Sequence, residues 1–308
     1  MIFEGSEKKV EIVVSLRDSE PSLRQLGEAF WERVVREARA QILSRISSDF
    51  ADAYLLSESS LFVSDSRVTL ITCGQTTLVR AVESIIEGIG LDRVEVLFYE
   101  RKNEYFPDKQ FTSFDEDSDR LAKLLPGKAE FFGNENGHFV SMFHYENKYV
   151  PSESDTTLEI LMHGLGKTAL NLFCTPGQCS VNRVRSEFAI EKVIPGYQVD
   201  DFCFDPIGYS LNALNKNRYY TIHVTPEKEG SYASFETNHY IDNGLGRDLT
   251  LNLISFFKPR SFLTVQFKKS GCLIANAGEI DFYRIVQSET RTLSSGYDVQ
   301  FCQYLLKD

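Results

Sequence analysis

The segment Tyr54-Leu55-Leu56-Ser57-Glu58-Ser59-Ser60-Leu61-Phe62-Val63 sets Ser-Glu-Ser-Ser between two apolar, strand-like flanks. Alone, a Glu-Ser pair in such a place reads as a polar turn. The chain supplies its own control, because Glu83-Ser84 lies on a predicted helix and says nothing about chemistry. About ten residues later comes Thr72-Cys73-Gly74. An ordinary thiol, with a pKa of about 8.5, is a neutral proton donor at pH 7; elsewhere a lone cysteine is a small core residue. His223, in the strand-like run Tyr220-Thr221-Ile222-His223-Val224-Thr225-Pro226-Glu227, reads by itself as a satisfied, partly buried histidine. Cysteines at 73, 174, 179, 203, 272 and 302 form no CxxC pair, and the five histidines form no HxH or HExxH. Zinc-type and thioredoxin-type chemistry therefore have no support.

Composition narrows the partners. Of 308 residues, Asp and Glu number 44 against 33 Lys and Arg, a formal charge of −11. That balance argues against nucleic acid or an anionic membrane surface as the main partner. No apolar run approaches the ~18 residues of a membrane span. Met1–Lys9 lacks the apolar stretch of a signal peptide. Scattered thiols fit a reducing cytoplasm better than a disulfide framework.

These residues need elements to hold them. β-branched and aromatic residues mark strands at Val10–Leu16, Ala53–Val63, Val68–Cys73, Val94–Glu100, His138–Tyr145, Gln198–Phe204, Tyr219–Thr225, Ser231–Glu236, Ser261–Phe267 and Val299–Leu305, among others. Helical spacing predicts helices over 22–38, with Ser22 as N-cap, and over 77–89, 115–125, 156–173 and 248–257. Helices separate groups of strands instead of alternating with them. The expected class is therefore α+β, with antiparallel sheets each carrying helices on one face. The order of elements repeats after about residue 150, with Glu146–Ser154 as connector, and the expected organisation is one compact domain with two similar halves.

Six blocks in order resemble the eukaryotic-type S-adenosylmethionine decarboxylase family: Phe3-Glu4-Gly5-Ser6-Glu7-Lys8; Leu56-Ser57-Glu58-Ser59-Ser60 with Thr72-Cys73-Gly74; Asp155-Thr156-Thr157-Leu158-Glu159-Ile160-Leu161-Met162, which is similar to a central helix; Gly208-Tyr209-Ser210-Leu211-Asn212; Tyr220–Glu227; and Ser231–Asn238. The resemblance runs from Phe3 to about Leu305. It implies a four-layer αββα sandwich of two antiparallel sheets with outer helices, and a single decarboxylase-like domain over 1–308 that cuts itself into chains 1–58 and 59–308.

The resemblance also implies roles. Ser59 Oγ attacks the Glu58 carbonyl; His223 takes the Ser59 α-proton; Ser210 assists by holding the ester; residue 59 becomes a pyruvoyl group. No metal and no pyridoxal phosphate are expected. In the mature enzyme Cys73 is the proton donor, with Glu4 and Glu7 acting near the reacting end. Phe3 and Phe204 align with an adenine-stacking pair, Glu227 with the carboxylate that holds the ribose hydroxyls, and Leu56 and Glu58 with backbone contacts to substrate. Aromatic faces suit both a flat base and a sulfonium.

Glu11, Asp155, Thr157, Glu159 and Glu236 match an acidic site that binds putrescine in animal members. This chain departs from them. Ile71 stands where animal enzymes have a lysine, and Lys9 where plant enzymes carry an arginine. Lys9 and Glu11 share a strand face, so a built-in cation is expected to replace the diamine in part, with weak or absent putrescine activation. The expected product is the aminopropyl donor for spermidine and spermine synthesis, and a homodimer is compatible with the resemblance. Two other readings stay open at this level: a pyruvoyl enzyme for ornithine or arginine, and a non-catalytic regulatory homologue.

Overall fold

Val10, Ile12 and Val14 alternate with Lys9, Glu11 and Val13 along β1 (Lys8–Val14), so the first three share one face. The computed structural model describes residues 3–134, 137–173, 179–189, 192–227, 230–241, 243–272 and 280–307. The chain divides into two compact units, residues 6–150 and residues 151–307 with 3–5. In the first unit β1 joins β2 (Ile42–Ser47), β3 (Ala51–Leu56), β4 (Ser59–Ser64), β5 (Arg67–Thr72), β6 (Val94–Lys102), β7 (Lys128–Gly133) and β8 (Phe139–Glu146). They form an antiparallel sheet in the order β2-β3-β4-β5-β1-β6-β8-β7. Helices α1 (Glu28–Glu37), α2 (Leu78–Ile89) and α3 (Phe114–Leu124) accompany it. Trp31, Val34, Val82, Ile85 and Leu121 from these helices share one apolar core with Val10, Ile12, Leu61 and Leu70 from the strands. Burying a side chain of this kind stabilises by about 1.5–3 kcal/mol. A capping box between Ser113 and Glu116 fixes the start of α3.

The second unit contains β9 (Thr157–His163), β10 (Gln198–Cys203), β11 (Tyr209–Asn215), β12 (Arg218–Thr225), β13 (Tyr232–Thr237), β14 (Ser261–Lys269), β15 (Tyr283–Thr292) and β16 (Tyr297–Leu306), with α4 (Lys167–Phe173), α5 (Val181–Phe188) and α6 (Asn243–Phe257). Its sheet runs β10-β11-β12-β13-β9-β14-β16-β15. Adding eight to every label of the first sheet reproduces this order, so the two units repeat one topology. Leu158, Ile160 and Met162 meet Leu172, Phe173, Val184, Leu253 and Phe257 in its core. The α+β class holds, with one antiparallel sheet and one set of helices per unit, the components an αββα sandwich requires.

Some expectations fail locally. The helix expected over 156–173, including the stretch similar to a central helix, is strand β9 followed by the short α4. Leu158, Leu161, Met162 and Leu165 fit a helical period, but Leu158, Ile160 and Met162 also fit a period of two, and sheet pairing decides between them. Gly164, at φ 67, separates strand from helix. Ser22 is no N-cap, for its Oγ donates to Asp65 Oδ1 at 2.9 Å. Gly27, at φ 81, breaks the segment, and α1 starts after it. Edge strand β2 and helix α5 carry too few apolar residues to announce themselves; Ser180 caps α5 by accepting from the Arg183 N–H.

Candidate active site

Strands β3 and β4 form a hairpin in which Leu56 pairs with Ser59 and only Ser57 and Glu58 lie between. Two-residue connections place positive φ on the turn residues. Here the positive value falls on Ser59, at φ 126, the first residue of β4. No L-residue region of backbone space includes that value, and holding it costs about 1–3 kcal/mol. Ser59 is 1% exposed and pairs with Thr72 across β5, so the sheet fixes the strained residue in place. Strain is thus stored in the backbone of Ser59, next to the bond that joins it to Glu58.

The carbonyl ahead of that bond is gripped. The Cys73 N–H donates to Glu58 O at 3.0 Å and the Cys73 thiol lies 3.6 Å from the same oxygen. Both donors come from the residue just past β5, which register brings alongside the hairpin. Burial, reinforced by the Glu58 and Glu7 carboxylates, holds the Cys73 thiol well above its ordinary pKa. It is therefore a filled proton donor at neutral pH. Burial also pushes the Glu58 carboxyl up to about 7, against an opposite pull from Lys8. Glu58 Oε2 is buried with no hydrogen-bond partner among the described residues. Lys8, which sequence reasoning missed, donates to Gln110 Oε1 at 2.6 Å and to Gly74 O at 3.3 Å. Burial, then Arg101, brings its ammonium down to about 8. Glu7 is 5% exposed, and its carbonyl accepts from the Lys102 N–H at 3.1 Å. Leu56 has its side chain in the helix-side core, which leaves its backbone to face Ser59.

Ser210 and His223 stand opposite each other on β11 and β12 in the second unit. Ser210 Oγ is 2.8 Å from His223 Nδ1, and Thr221 Oγ1 is 2.8 Å from His223 Nε2. Burial lowers the His223 pKa to about 3, so the ring is neutral and able to accept a proton. Thr221 is a second missed residue. The signal was present: Thr221 and His223 share a strand face two residues apart.

The N-terminal segment lies against the same unit. A Cβ on Gly5 would come within 2.9 Å of Tyr232 Cβ and 3.1 Å of Thr225 Cβ, so only glycine lets the chain approach the β12–β13 pair this closely. Beyond it Glu4 is 3% exposed, and the Phe3 N–H donates to Glu227 Oε1 at 3.1 Å. Phe3 itself is 38% exposed, which leaves an aromatic face open beside that carboxylate. Phe204 is half-buried after β10, its ring 5.0 Å from that of Phe202 in an edge-on pair.

The acidic set divides between the units. In the first, Arg67 donates to Glu11 Oε1 at 2.7 Å and to the Tyr149 hydroxyl at 2.9 Å. Lys9 Nζ lies 3.9 Å from Glu100 Oε1, and Lys102 Nζ lies 3.1 Å from the other Glu100 oxygen. Arg67 therefore stands at Glu11 as the neutralising cation, a position that no motif marked. In the second unit Glu159 faces Glu236 across β9 and β13, and Thr157 follows two residues along on the same face. Glu236 accepts from the Tyr219 hydroxyl at 2.6 Å, and Asp155 from the Tyr297 hydroxyl at 2.5 Å. Among the described residues no helix is long and apolar enough to cross a membrane.

The first unit thus presents a strained serine behind a gripped carbonyl and a protonated thiol, the second a neutral histidine beside a serine, on one duplicated antiparallel fold. The adenosylmethionine decarboxylase family model matches residues 1–305. The chain is 35% identical to the S-adenosylmethionine decarboxylase proenzyme of Drosophila melanogaster, covering 86% of this chain and 82% of that one. It is 32% identical to the proenzyme of the same description from Dictyostelium discoideum, with shares of 98% and 85%. A crystal structure of the Trypanosoma brucei AdoMetDC-delta26 monomer superposes with a TM-score of 0.63 at 25% identity, covering 80% of this chain and 99% of that one. The chain belongs to the adenosylmethionine decarboxylase family.

Proposed function

We propose that this S-adenosylmethionine decarboxylase is made as a precursor that cuts its own backbone between Glu58 and Ser59 and keeps the residue at 59 as a pyruvoyl group. The observation that carries the reading is Ser59 at φ 126 with the carbonyl before it held by Cys73. Attack of Ser59 Oγ on that carbonyl exchanges the peptide bond ahead of the strained residue for an ester, and the Cys73 N–H is placed to stabilise the oxygen as charge develops on it. His223 is assigned the α-proton of residue 59. Breaking that C–H bond forms the Cα=Cβ double bond, and the ester oxygen departs with the Glu58 carboxylate. Ser210, beside the ring, holds the ester. The dehydroalanine left at residue 59 tautomerises to an imine, and water adds to it and expels ammonia, its oxygen becoming the ketone of the pyruvoyl group, without any metal or pyridoxal phosphate.

The pyruvoyl carbonyl supplies the electron sink for decarboxylation. The chain's own residues do the rest. Cys73 keeps a proton available at Sγ because burial and two nearby carboxylates disfavour its thiolate. Glu227 and the exposed ring of Phe3, with Phe204, are assigned the ribose hydroxyls and the adenine of the substrate, and Glu4 and Glu7 its reacting end. Arg67 on Glu11, with the Lys9–Glu100–Lys102 group beside it, supports a site that already holds its cations. Putrescine therefore activates weakly or not at all; severalfold stimulation by millimolar diamine would contradict this part of the reading. A cytoplasmic location is consistent with the free state of every described cysteine.

The deciding experiment is intact mass spectrometry of fully incubated, folded protein, with CO₂ release from S-adenosylmethionine measured on the same sample. Fragments 1–58 and 59–308, the larger lacking a free amino terminus, are expected. One unbroken chain with serine at 59 sinks the proposal.

A further inference from the structure

The polar groups behind His223 determine which ring nitrogen is basic. Thr221 Oγ1 lies 2.8 Å from the Leu211 carbonyl and 3.2 Å from Asn212 Oδ1. It also lies 2.8 Å from His223 Nε2. A hydroxyl has one proton to give, and a carbonyl oxygen can only accept. If Thr221 gave its proton to the ring, lone pairs would oppose each other at the Leu211 contact, inside a site where Thr221 is 1% exposed. Thr221 therefore donates to the strand backbone and turns an acceptor lone pair toward Nε2. A neutral imidazole carries a single N–H. That hydrogen belongs on Nε2, and the bare lone pair on Nδ1, where the Ser210 hydroxyl donates to it across 2.8 Å.

We propose that Thr221 is a positioning residue that locks His223 in the Nε2–H tautomer, so that Nδ1, beside Ser210, is the basic atom during self-cleavage. The proposal rests on His223 being the base assigned above. When Nδ1 takes the α-proton, the ring becomes an imidazolium with two N–H groups. Ser210 Oγ and Thr221 Oγ1 are both oxygens able to accept them. Thr221 thus acts twice, selecting the tautomer beforehand and receiving a stronger hydrogen bond from the charged ring afterwards. The same β11–β12 register that sets Ser210 opposite His223 sets Asn212 opposite Thr221 two rungs along, so both nitrogens are served from one face of one ladder.

The test uses the full-length Ser59→Ala precursor, which holds the site unprocessed. Long-range proton–nitrogen correlation on ¹⁵N-histidine protein, with the His223 signals assigned from a His223→Gln sample, reads the tautomer directly. Protonated Nε2 with unprotonated Nδ1 is expected; an Nδ1–H ring overturns the proposal without any change at Thr221. In the same background Thr221→Val is expected to move the proton to Nδ1, and Thr221→Ser to return it to Nε2. With Ser59 intact, Thr221→Val is expected to split on the order of 100-fold more slowly, and Thr221→Ser to recover most of the loss. Slow splitting with an unmoved ring proton overturns the proposal. A moved proton with unchanged splitting supports the tautomer lock and instead removes His223 as the base. Should the valine variant fail to fold, the unsubstituted ring and the serine variant still decide.

Discussion

The hairpins β3–β4 and β11–β12 occupy equivalent places in the two sheets and are built to one plan. In each, the first residue past the neighbouring strand grips the carbonyl of the second turn residue. Cys73 holds Glu58 through its backbone N–H at 3.0 Å, and Asn238 holds Asn217 through its side-chain amide at 3.1 Å. The difference lies in where the unusual backbone falls. In β11–β12 it falls on Lys216, an exposed turn residue at φ 55, the ordinary left-handed value. In β3–β4 it falls one step after the turn, on a buried serine at φ 126. Gripping the carbonyl is therefore a property of the scaffold. What sets one hairpin apart is a hydroxyl at a residue the backbone cannot hold comfortably.

The strongest way to break this comparison is to exchange the serine. Ser59→Ala is expected to abolish splitting altogether, while Arg218→Ser, which puts a hydroxyl after the quiet turn, is expected to produce no second cut; fragment masses read both. Cys73→Ala separates the two donors on the gripped carbonyl. It keeps the N–H, so splitting should slow only about fivefold, the worth of one ordinary hydrogen bond. Turnover of material that has split should fall by on the order of 100-fold, the usual share of a general acid.

A third test reads the base through pH. Burial lowers the His223 pKa from 6.5 to about 3. Between those values the unfolded chain binds a proton that the folded chain refuses. The contribution of this residue to stability is intact above that window and is lost as pH falls through it, by up to about 1.4 kcal/mol per pH unit. Urea melts of the Ser59→Ala precursor at pH 7 and pH 5 should show the loss, and His223→Gln should flatten it. The smallest effect sharpens the claim of strain. Ser59→Gly accepts φ 126 without a Cβ, so the uncut glycine precursor should be about 1–2 kcal/mol more stable than the uncut alanine one. Equal midpoints would place no strain at Ser59.

Much of this was legible in the order of residues, for reasons that differ from element to element. Strand alternation and the run of motifs announced two antiparallel halves, and Ser59, Cys73, Ser210 and His223 stood inside recognisable blocks. The 156–173 helix was misread because its apolar residues satisfy two periods at once, and only pairing with β13 and β14 chooses between them. Arg67 was invisible because its partner Glu11 lies 56 residues away and meets it through the β1–β5 register. The backbone angle of Ser59 was invisible for another reason: a serine that opens a strand after a turn has no spelling for strain.

The place of β1 in its sheet carries one last consequence. It lies between β5 and β6, and β3 lies against β4, so the first 58 residues contribute strands to the interior of a sheet that the remaining residues complete. On the cut proposed above, the two fragments would share the β1–β5, β1–β6 and β3–β4 ladders and be held together by them. Once denatured, however, the fragments must find each other by diffusion, so renaturation changes from a first-order to a second-order process. On that proposal the uncut chain would recover from thermal insult at any dilution, whereas the two-piece form would recover only where its pieces remain concentrated enough to meet.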